Sequence, residues 1–271
     1  MNKHILRAAI SVGLLLCTGA AFGQNKPELI TVPLSRPAEP VTLEIELMSA
    51  RIEVIGEDRK DVQLSITMAG GERRIKTPSG MKTLAGSGGA VSVEENDNTV
   101  SVESDPHTGR FEIVARVPRR ADLDLSTVQD GEIVVRDITG ALQLENVNGK
   151  IDATNINGSV IAESVNEAIH VGFTGVSTSG ATALTSLNGD ITLSLPANAG
   201  AELRIDSAEG QIESDFDLDV KPTKPTIERN EGRSRTSLRV EDVIVATVNG
   251  GGPVIKLKTL NGNIRVAKTA K

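Results

Sequence analysis

The chain has 271 residues, a formal net charge of −7 at pH 7, and almost no aromatic side chains: four Phe, no Trp and no Tyr. Aromatic rings supply the stacking surfaces of nucleic-acid and sugar sites, and basic side chains supply phosphate contacts. The composition therefore excludes nucleic acid as a partner. It also argues against sugar-stacking sites and aromatic interface hot spots.

The first 23 residues have the organisation of a secretory signal peptide. Lys3 and Arg7 precede an apolar run over residues 8–16, and Ala21 and Gly23 form a small-x-small cleavage site before Gln24. The run is too short to span a bilayer, and no other segment of the sequence reaches membrane length. We therefore predict an exported protein, periplasmic or at the cell surface, with no transmembrane segment in the mature chain.

The single cysteine, Cys17, lies within this predicted signal peptide, so the mature chain has no cysteine to form a disulfide. A lipid anchor on Cys17 is the alternative to simple cleavage. Bacterial lipoprotein processing requires a small residue immediately before the cysteine, and Leu16 is not small. The sequence favours a chain without an anchor.

A nine-residue repeat dominates the remainder of the sequence. Gly131, Gly140, Gly149 and Gly158 are nine residues apart, Glu167 takes the next position, and apolar residues follow each at two and four residues. Apolar residues two apart lie on one face of a strand, which predicts short strands. Asn-Gly pairs between them predict tight turns with positive φ angles.

Two all-β architectures fit short strands joined by tight turns. One is an antiparallel β-sandwich; the other is a parallel β-helix, or β-solenoid, in which residues of the same type stack on one another. A sandwich does not need a strict nine-residue register, so the sequence favours the solenoid. Two units per coil would give a rung of roughly 18 residues, but the sequence does not fix that number. A narrow aliphatic interior, in which large rings would interrupt the stacking, also accounts for the shortage of aromatic residues.

The repeat predicts one domain over residues 40–271, preceded by a proline-rich linker or cap over residues 24–39. Two segments interrupt it. Residues 69–90 are rich in glycine, and residues 219–236 combine prolines with basic side chains, so both are predicted to be insertions. Charged, irregular ends are expected to cover the terminal coils, since an exposed strand edge promotes association.

The repeated motifs resemble those of the bacterial putative-adhesin domain family over roughly residues 40–268. The resemblance rests on Asn188-Gly189-Asp190-Ile191, on Asn261-Gly262-Asn263-Ile264, and on the C-terminal sequence from Thr247 to Gly262. It implies an envelope or surface protein with a right-handed β-helix and an unknown biochemical role, and it supplies no catalytic residues. Glu167 and Ser49-Ala50 depart from the Asn-Gly pattern, so looser turns are expected there.

Few residues are suited to catalysis. A nucleophilic triad requires a histidine held between a carboxylate and a serine or cysteine, and only His107 and His170 remain after signal-peptide removal. His107 lies in a turn-like segment beside Ser104 and Asp105. His170 alternates with Ile169 and Val171 and is predicted to face solvent. The basic group Arg116, Arg119 and Arg120 is interpreted as a turn flanked by solubilising charge.

Metal ligands are equally scarce. Without cysteines and with two isolated histidines, ordinary zinc sites are excluded, and the regular Asp of calcium-binding β-rolls is absent from the turns. Glu213, Asp215, Asp217 and Asp219 alternate with apolar residues and predict a solvated outer strand face. A divalent ion bridging Asp215, Asp217 and Asp219 is the alternative interpretation.

The sequence therefore predicts a non-catalytic, adhesin-like interaction or scaffold module whose partner is an unknown component of the envelope or cell surface. No catalytic, cofactor-binding or metal-ligating residue is assigned. The alternative is a polysaccharide-active β-helix enzyme, a lyase or glycosidase, using Asp215 and Asp217. Such enzymes usually also carry aromatic sugar platforms, and the sequence lacks them.

Overall fold

The computed structural model describes residues 27–69, 91–104, 109–129, 131–177, 180–221, 226–229, 236–239 and 243–269. The predicted signal peptide with Cys17, His107, and most of the two predicted insertions lie outside the described residues. Every helix or strand element within them is a β-strand, which confirms the all-β prediction.

The strands, in chain order, are β1 (Glu28–Pro33), β2 (Val41–Glu57), β3 (Asp61–Ala69), β4 (Val91–Asn96), β5 (Thr99–Ser104), β6 (Arg110–Pro118), β7 (Ala121–Gln129), β8 (Ile133–Arg136), β9 (Thr139–Asn146), β10 (Ile151–Ser164), β11 (Ile169–Val176), β12 (Thr182–Ser186), β13 (Ile191–Leu195), β14 (Ala201–Ser207), β15 (Ile212–Ser214), β16 (Asp219–Lys221), β17 (Thr226–Arg229), β18 (Thr236–Arg239), β19 (Ile244–Val248), β20 (Val254–Thr259) and β21 (Ile264–Lys268). The predicted insertion at 219–236 thus begins with β16 and contains β17, and β18 begins at its end.

The strands form two walls around one hydrophobic core. Wall one contains, in spatial order, β4, β5, the first half of β2, β7, β9, the second half of β10, β12, β20, β14, β19 and β16. Wall two contains β1, β3, β6, the second half of β2, β8, the first half of β10, β11, β13, β21 and β15. We call a wall-one strand together with the wall-two strand that follows it a rung. The strands β17 and β18 pair only with each other.

The central strands are parallel, and equivalent residues in neighbouring rungs are separated by a similar number of positions. Ile133 pairs with Ile151, and Ile151 pairs with Ile169, so equivalent residues are 18 positions apart. The offset grows to 22 between Ile169 and Ile191. A two-residue hairpin turn joins strands that run antiparallel, so the strands of these parallel pairs are not connected by hairpins.

The core is a set of stacked aliphatic rows. In the central strands the inward positions hold mainly Val, Ile, Leu or Ala and are almost completely buried, while the alternate positions face solvent. Burial of each larger side chain stabilises the fold by roughly 1.5–3 kcal/mol. The expectation that this interior rejects aromatic rings is wrong in detail, because Phe111, Phe173 and Phe216 are buried. Phe111 and Phe216 lie near the two ends of the stack, and Phe173 lies where the register of β10 and β11 shifts.

The spatial order of the rungs differs from their order in the chain at both ends. The first rung, formed by β2, lies between β5–β6 and β7–β8. The last rung, β20–β21, lies between β12–β13 and β14–β15. Each of these two rungs therefore pairs with a rung on both sides. The two neighbouring rungs follow one another directly in the chain, and the terminal rung is inserted between them.

Antiparallel strands lie at both ends of wall one and at one end of wall two, and the parallel strand β15 ends wall two on the other side. At one end β4 pairs with β5, and β3 and β1 follow β6; at the other end β19 and β16 follow β14. The ends were expected to be covered by irregular charged segments, and these strands form the covers instead. Several of them are short, which limits the exposed edge available for association.

The turns at the Asn-Gly pairs need glycine for a different reason from the predicted one. Gly149 and Gly189 do not have positive φ angles. Positive φ angles occur instead at Asp137 (61°) and Asn155 (58°), which lie at the opposite corner, and at Asn249 (48°). A Cβ on Gly189 would overlap the carbonyl oxygen of Glu167 in the adjacent rung. The glycine is therefore required by the close approach of neighbouring rungs, and only the Asn249-Gly250 turn matches the predicted conformation.

We predict that Gly189→Ala lowers the free energy of unfolding by about 2–3 kcal/mol, because the new methyl group forces two backbones apart. Gly172→Ala is the matched control: a Cβ there meets its nearest atoms only at 3.9 Å. It is expected to change stability by less than about 1 kcal/mol. Urea denaturation of both variants measures the difference, and equal losses would contradict the explanation.

Candidate interaction surfaces

A row of buried polar residues ends the wall-one strands. It consists of Thr127, Asn146, Ser164, Ser186 and Thr259. The Gly189 backbone N–H donates to Ser186 Oγ at 2.8 Å, and Thr259 Oγ1 donates to the Gly189 carbonyl oxygen at 3.1 Å. These bonds satisfy backbone groups that leave the strand ladder, so the row fixes the geometry of each corner.

Two residues further along, four asparagines form what we call the asparagine ladder. Asn166 Nδ2 donates to Asn148 Oδ1 at 2.6 Å, and Asn188 Nδ2 donates to Asn166 Oδ1 at 3.0 Å. Asn261 Nδ2 donates to Asn188 Oδ1 at 2.8 Å, and Asn148 Nδ2 donates to the Val128 carbonyl oxygen at 2.9 Å. The prediction that asparagine amides stack along the corners is confirmed at these four positions.

An exposed aliphatic row lies directly beside the asparagine ladder. This aliphatic ridge consists of the residues between the buried polar row and the ladder, namely Val128, Val147, Val165, Leu187 and Leu260. Leu187 and Leu260 are 45% and 46% exposed. The backbones are bonded from rung to rung, as when Asn261 N–H donates to the Leu187 carbonyl oxygen. The ridge therefore presents a straight apolar strip along five rungs.

The outer face of wall one carries a cluster of carboxylates. Glu44, Asp124 and Glu145 lie on adjacent strands β2, β7 and β9 and point away from the core. Partial burial raises the pKa of Asp124, and the negative charges of Glu145 and Glu44 raise it further. The negative charges of these three carboxylates therefore repel one another.

The opposite half of this outer face is basic. Lys221 and Arg204 contact Glu202 at 2.9 and 3.1 Å, and these cations lower the pKa of the Glu202 carboxyl. Lys258 contacts Asp206 at 2.8 Å. The two halves of wall one therefore differ in the sign of their charge.

The sequence-based interpretation of His170 as a surface residue is incomplete. His170 is partly exposed on wall two, with Nδ1 3.3 Å from Asp152 Oδ1 and Nε2 3.4 Å from Ser194 Oγ. Lys150 Nζ holds the other carboxylate oxygen of Asp152 at 2.8 Å. The residue types are those of a nucleophilic triad, brought together by the rung offsets of 18 and 22 residues. That offset is the sequence signal that would have identified the cluster.

The cluster lacks the surroundings that a triad needs. It lies on the outer face of a wall whose backbone N–H groups are bonded to neighbouring strands, as the parallel pairing of β10, β11 and β13 requires. An oxyanion requires converging free donors, usually backbone N–H groups. We therefore interpret the contacts as a polar link across three strands, of the kind that contributes little stability at a surface.

The remaining candidates are dispersed. Asp215 Oδ2 accepts the Lys268 backbone N–H at 3.2 Å, and its other oxygen is 3.8 Å from Arg265. Arg116 forms an ion pair with Glu57, and Arg119 lies 3.8 Å from Asp137. Asp217 and Asp219 are exposed, and Glu213 lies 4.0 Å from Arg265. Within the described ranges, no three His, Cys, Asp or Glu side chains converge in a way that would hold a metal ion.

Three solved bacterial proteins align with most of the chain, each at low identity and with a TM-score below 0.5. A putative cell adhesion protein from Clostridium sporogenes ATCC 15579 has 11% identity and a TM-score of 0.48, covering 90% of this chain and 100% of that one. A putative adhesin from Bacteroides fragilis NCTC 9343 has 14% identity and a TM-score of 0.39, covering 91% and 98%. A putative lipid binding protein from Parabacteroides distasonis ATCC 8503 has 12% identity and a TM-score of 0.31, covering 92% and 98%.

No protein-family model matches the chain, and no curated protein matches it. In the part of the chain that the structure describes, no helix is long and apolar enough to cross a membrane.

We predict that Asn188→Asp lowers the free energy of unfolding by about 1 kcal/mol at pH 7, because a carboxylate cannot donate to Asn166 Oδ1. Asn198→Asp is the control, since Asn198 is exposed and lies outside the ladder. Thermal and urea denaturation measure both. A loss at Asn188 no larger than that at Asn198 would show that the ladder contributes no stability.

We predict that Asp124→Asn stabilises the monomer at pH 7. A raised pKa in the folded state means that the ionised carboxylate opposes folding, so this cost is present at neutral pH and disappears as the pH falls through the pKa of the folded protein. The difference in Tm between variant and parent should therefore shrink towards pH 3–4. Dilute samples are compared between pH 7 and pH 3, and a pH-independent difference would refute the prediction.

Proposed function

We propose that the protein is an exported, non-catalytic module that acts in adhesin-like interaction or scaffolding in the periplasm or at the cell surface. We further propose that its fold is a parallel β-solenoid with about 18 residues per coil. The 18-residue pairing of Ile133, Ile151 and Ile169 supports the architecture. The signal-peptide organisation of residues 1–23 supports export.

The observation that carries the proposed function is the corner formed by the asparagine ladder and the aliphatic ridge. Exposed leucines and valines lie beside a continuous row of amides along several rungs. Contiguous exposed apolar surface rimmed by polar groups is typical of interaction sites. The proposed partner is a component of the envelope or cell surface that contacts this strip.

The non-catalytic part of the proposal is supported by what surrounds the acidic and nucleophilic groups. The Asp152–His170–Ser194 contacts lie on a wall face with bonded backbone donors, and Asp215 links β15 to β21 through Lys268 and Arg265. The geometry of Asp215 gives no specific support to the polysaccharide-active alternative, which requires a carboxylate pair arranged around a glycosidic bond.

The first test is export. When the full chain is produced in a bacterial host, mass spectrometry of the envelope fraction should detect a mature N-terminus at Gln24. A chain retained with residues 1–23 intact in the cytoplasm would refute the location and, with it, the proposed function.

The second test is contact at the corner. A photo-crosslinking amino acid at Leu187 should give a discrete adduct with one envelope component in intact cells. The same probe at Leu29, which is 64% exposed on β1 and distant from the ridge in the strand order, is the matched control. Equal adducts at both positions, or none at Leu187, would contradict a specific interaction through the corner.

A further inference from the structure

The outer face of wall one has an acidic half. Outward carboxylates follow one another on β5, β2, β7, β9 and β10: Glu103, Glu44, Glu46, Asp122, Asp124, Glu145 and Glu163. Among the described residues, none of the seven forms an ion pair. The acidic half therefore has uncompensated negative charge that a cationic surface would neutralise.

The same face has a basic half at the other end of the stack. Lys256 and Lys258 on β20, Arg204 on β14 and Lys221 on β16 project outward. They share this half with three outward carboxylates, Glu202, Asp206 and Asp219. The basic half therefore keeps a net positive charge, and within the described chain Lys256 has no ion-pair partner.

Uncharged side chains separate the two halves. Ile161 on β10 pairs in register with Ala183 on β12, and Thr185 follows on the same strand. Ile161 is 37% exposed. The face is therefore strongly acidic at one end, small and partly apolar in the middle, and weakly basic at the other end. A second copy with the strand order reversed would bring some of these opposite charges together.

We propose that the outer face of wall one binds the same face of a second copy of this chain. The two-fold axis runs parallel to the strands, between β10 and β12. A rotation about this axis reverses the order of the strands, so β7 faces β14 of the second copy, β9 faces β20, and β10 faces β12. A closed two-fold interface of this kind uses one patch on both subunits.

The strand registers determine which side chains meet. One row crosses Asp124, Gln143, Ile161, Ala183, Lys256 and Arg204. Reversal of this row sets Asp124 opposite Arg204 and Ile161 opposite Ala183. The neighbouring row sets Glu145 opposite Lys258. Each of these pairs occurs twice in the dimer.

The size of the face suits a dimer. Eight strands about 4.8 Å apart, each contributing about six residues of 3.3 Å, cover about 750 Å² per copy. Stable complexes of standard size bury about 800 Å² per partner. The face is rich in charge, whereas the cores of tight interfaces are depleted of it, so the dimer is expected to be weak and sensitive to salt.

The test is sedimentation equilibrium of the mature chain at about 50 mM and about 500 mM NaCl. A dimer at low salt that dissociates at high salt is expected. Lys258→Glu and Glu145→Lys should each weaken dimerisation at least about tenfold, and the double variant should restore it. Circular dichroism and Tm verify that each variant is folded.

Arg265→Glu is the control, because this substitution makes the same change from a basic to an acidic side chain, but on the outer face of wall two. It should leave the dimer unchanged at low salt. A chain that remains monomeric at about 100 μM in low salt would overturn the proposal and leave the acidic half to a different cationic partner. Failure of the double variant to restore a dimer that both single variants weaken would also overturn it.

Discussion

The spacing of about 4.8 Å between parallel strands is the constraint on which the rest of the structure depends. It places side chains of equivalent positions in direct contact from rung to rung, so each position is selected against its own neighbours. An amide has both a donor and an acceptor, and Asn148, Asn166, Asn188 and Asn261 can bond in series at this distance. A carboxylate has acceptors alone, so the same spacing brings Glu44 and Asp124, which pair in register, and Glu145 in the neighbouring row into unfavourable proximity.

Much of the fold follows from the sequence because the spacing imposes repetition. The alternation of apolar residues predicted the strands, and the repeated Asn-Gly pairs predicted the corner at which the amides stack. The nine-residue register did not fix the number of units per coil, although the two corners of the 18-residue repeat differ. Ile138 and Ile156 are fully buried at one corner, whereas Val147 and Val165 are exposed in part at the other. Both pairs are apolar, so hydrophobic periodicity cannot distinguish them.

The order of the rungs could not be predicted for a related reason. Ile191 pairs with Ile264, a residue 73 positions later, although Ile212 offers the same motif much closer in the chain. Rungs with equivalent motifs present equivalent edges, so local sequence does not determine which edge pairs with which. The Asp152–His170–Ser194 contacts were missed for this reason too, since they depend on offsets between strands.

Inward and outward positions of the two walls are also subject to different constraints. Inward positions are restricted to residues that pack at the fixed spacing, and their replacement costs stability. Outward positions on wall one have no such restriction, and they carry the separation of acidic and basic residues. The charge pattern is thus the part of the sequence that folding leaves free, and the proposed function and the proposed dimer both depend on exposed positions of this kind.

The position of the two terminal rungs has a kinetic consequence. β2 and β20–β21 are internal strands with neighbours on both sides, so opening either of these rungs must break two ladders at once. Contacts between residues as distant as 191 and 264 also raise the contact order and slow folding. A fold whose first and last rungs are internal in this way is expected to unfold slowly, and slow unfolding limits the access of proteases to the open chain.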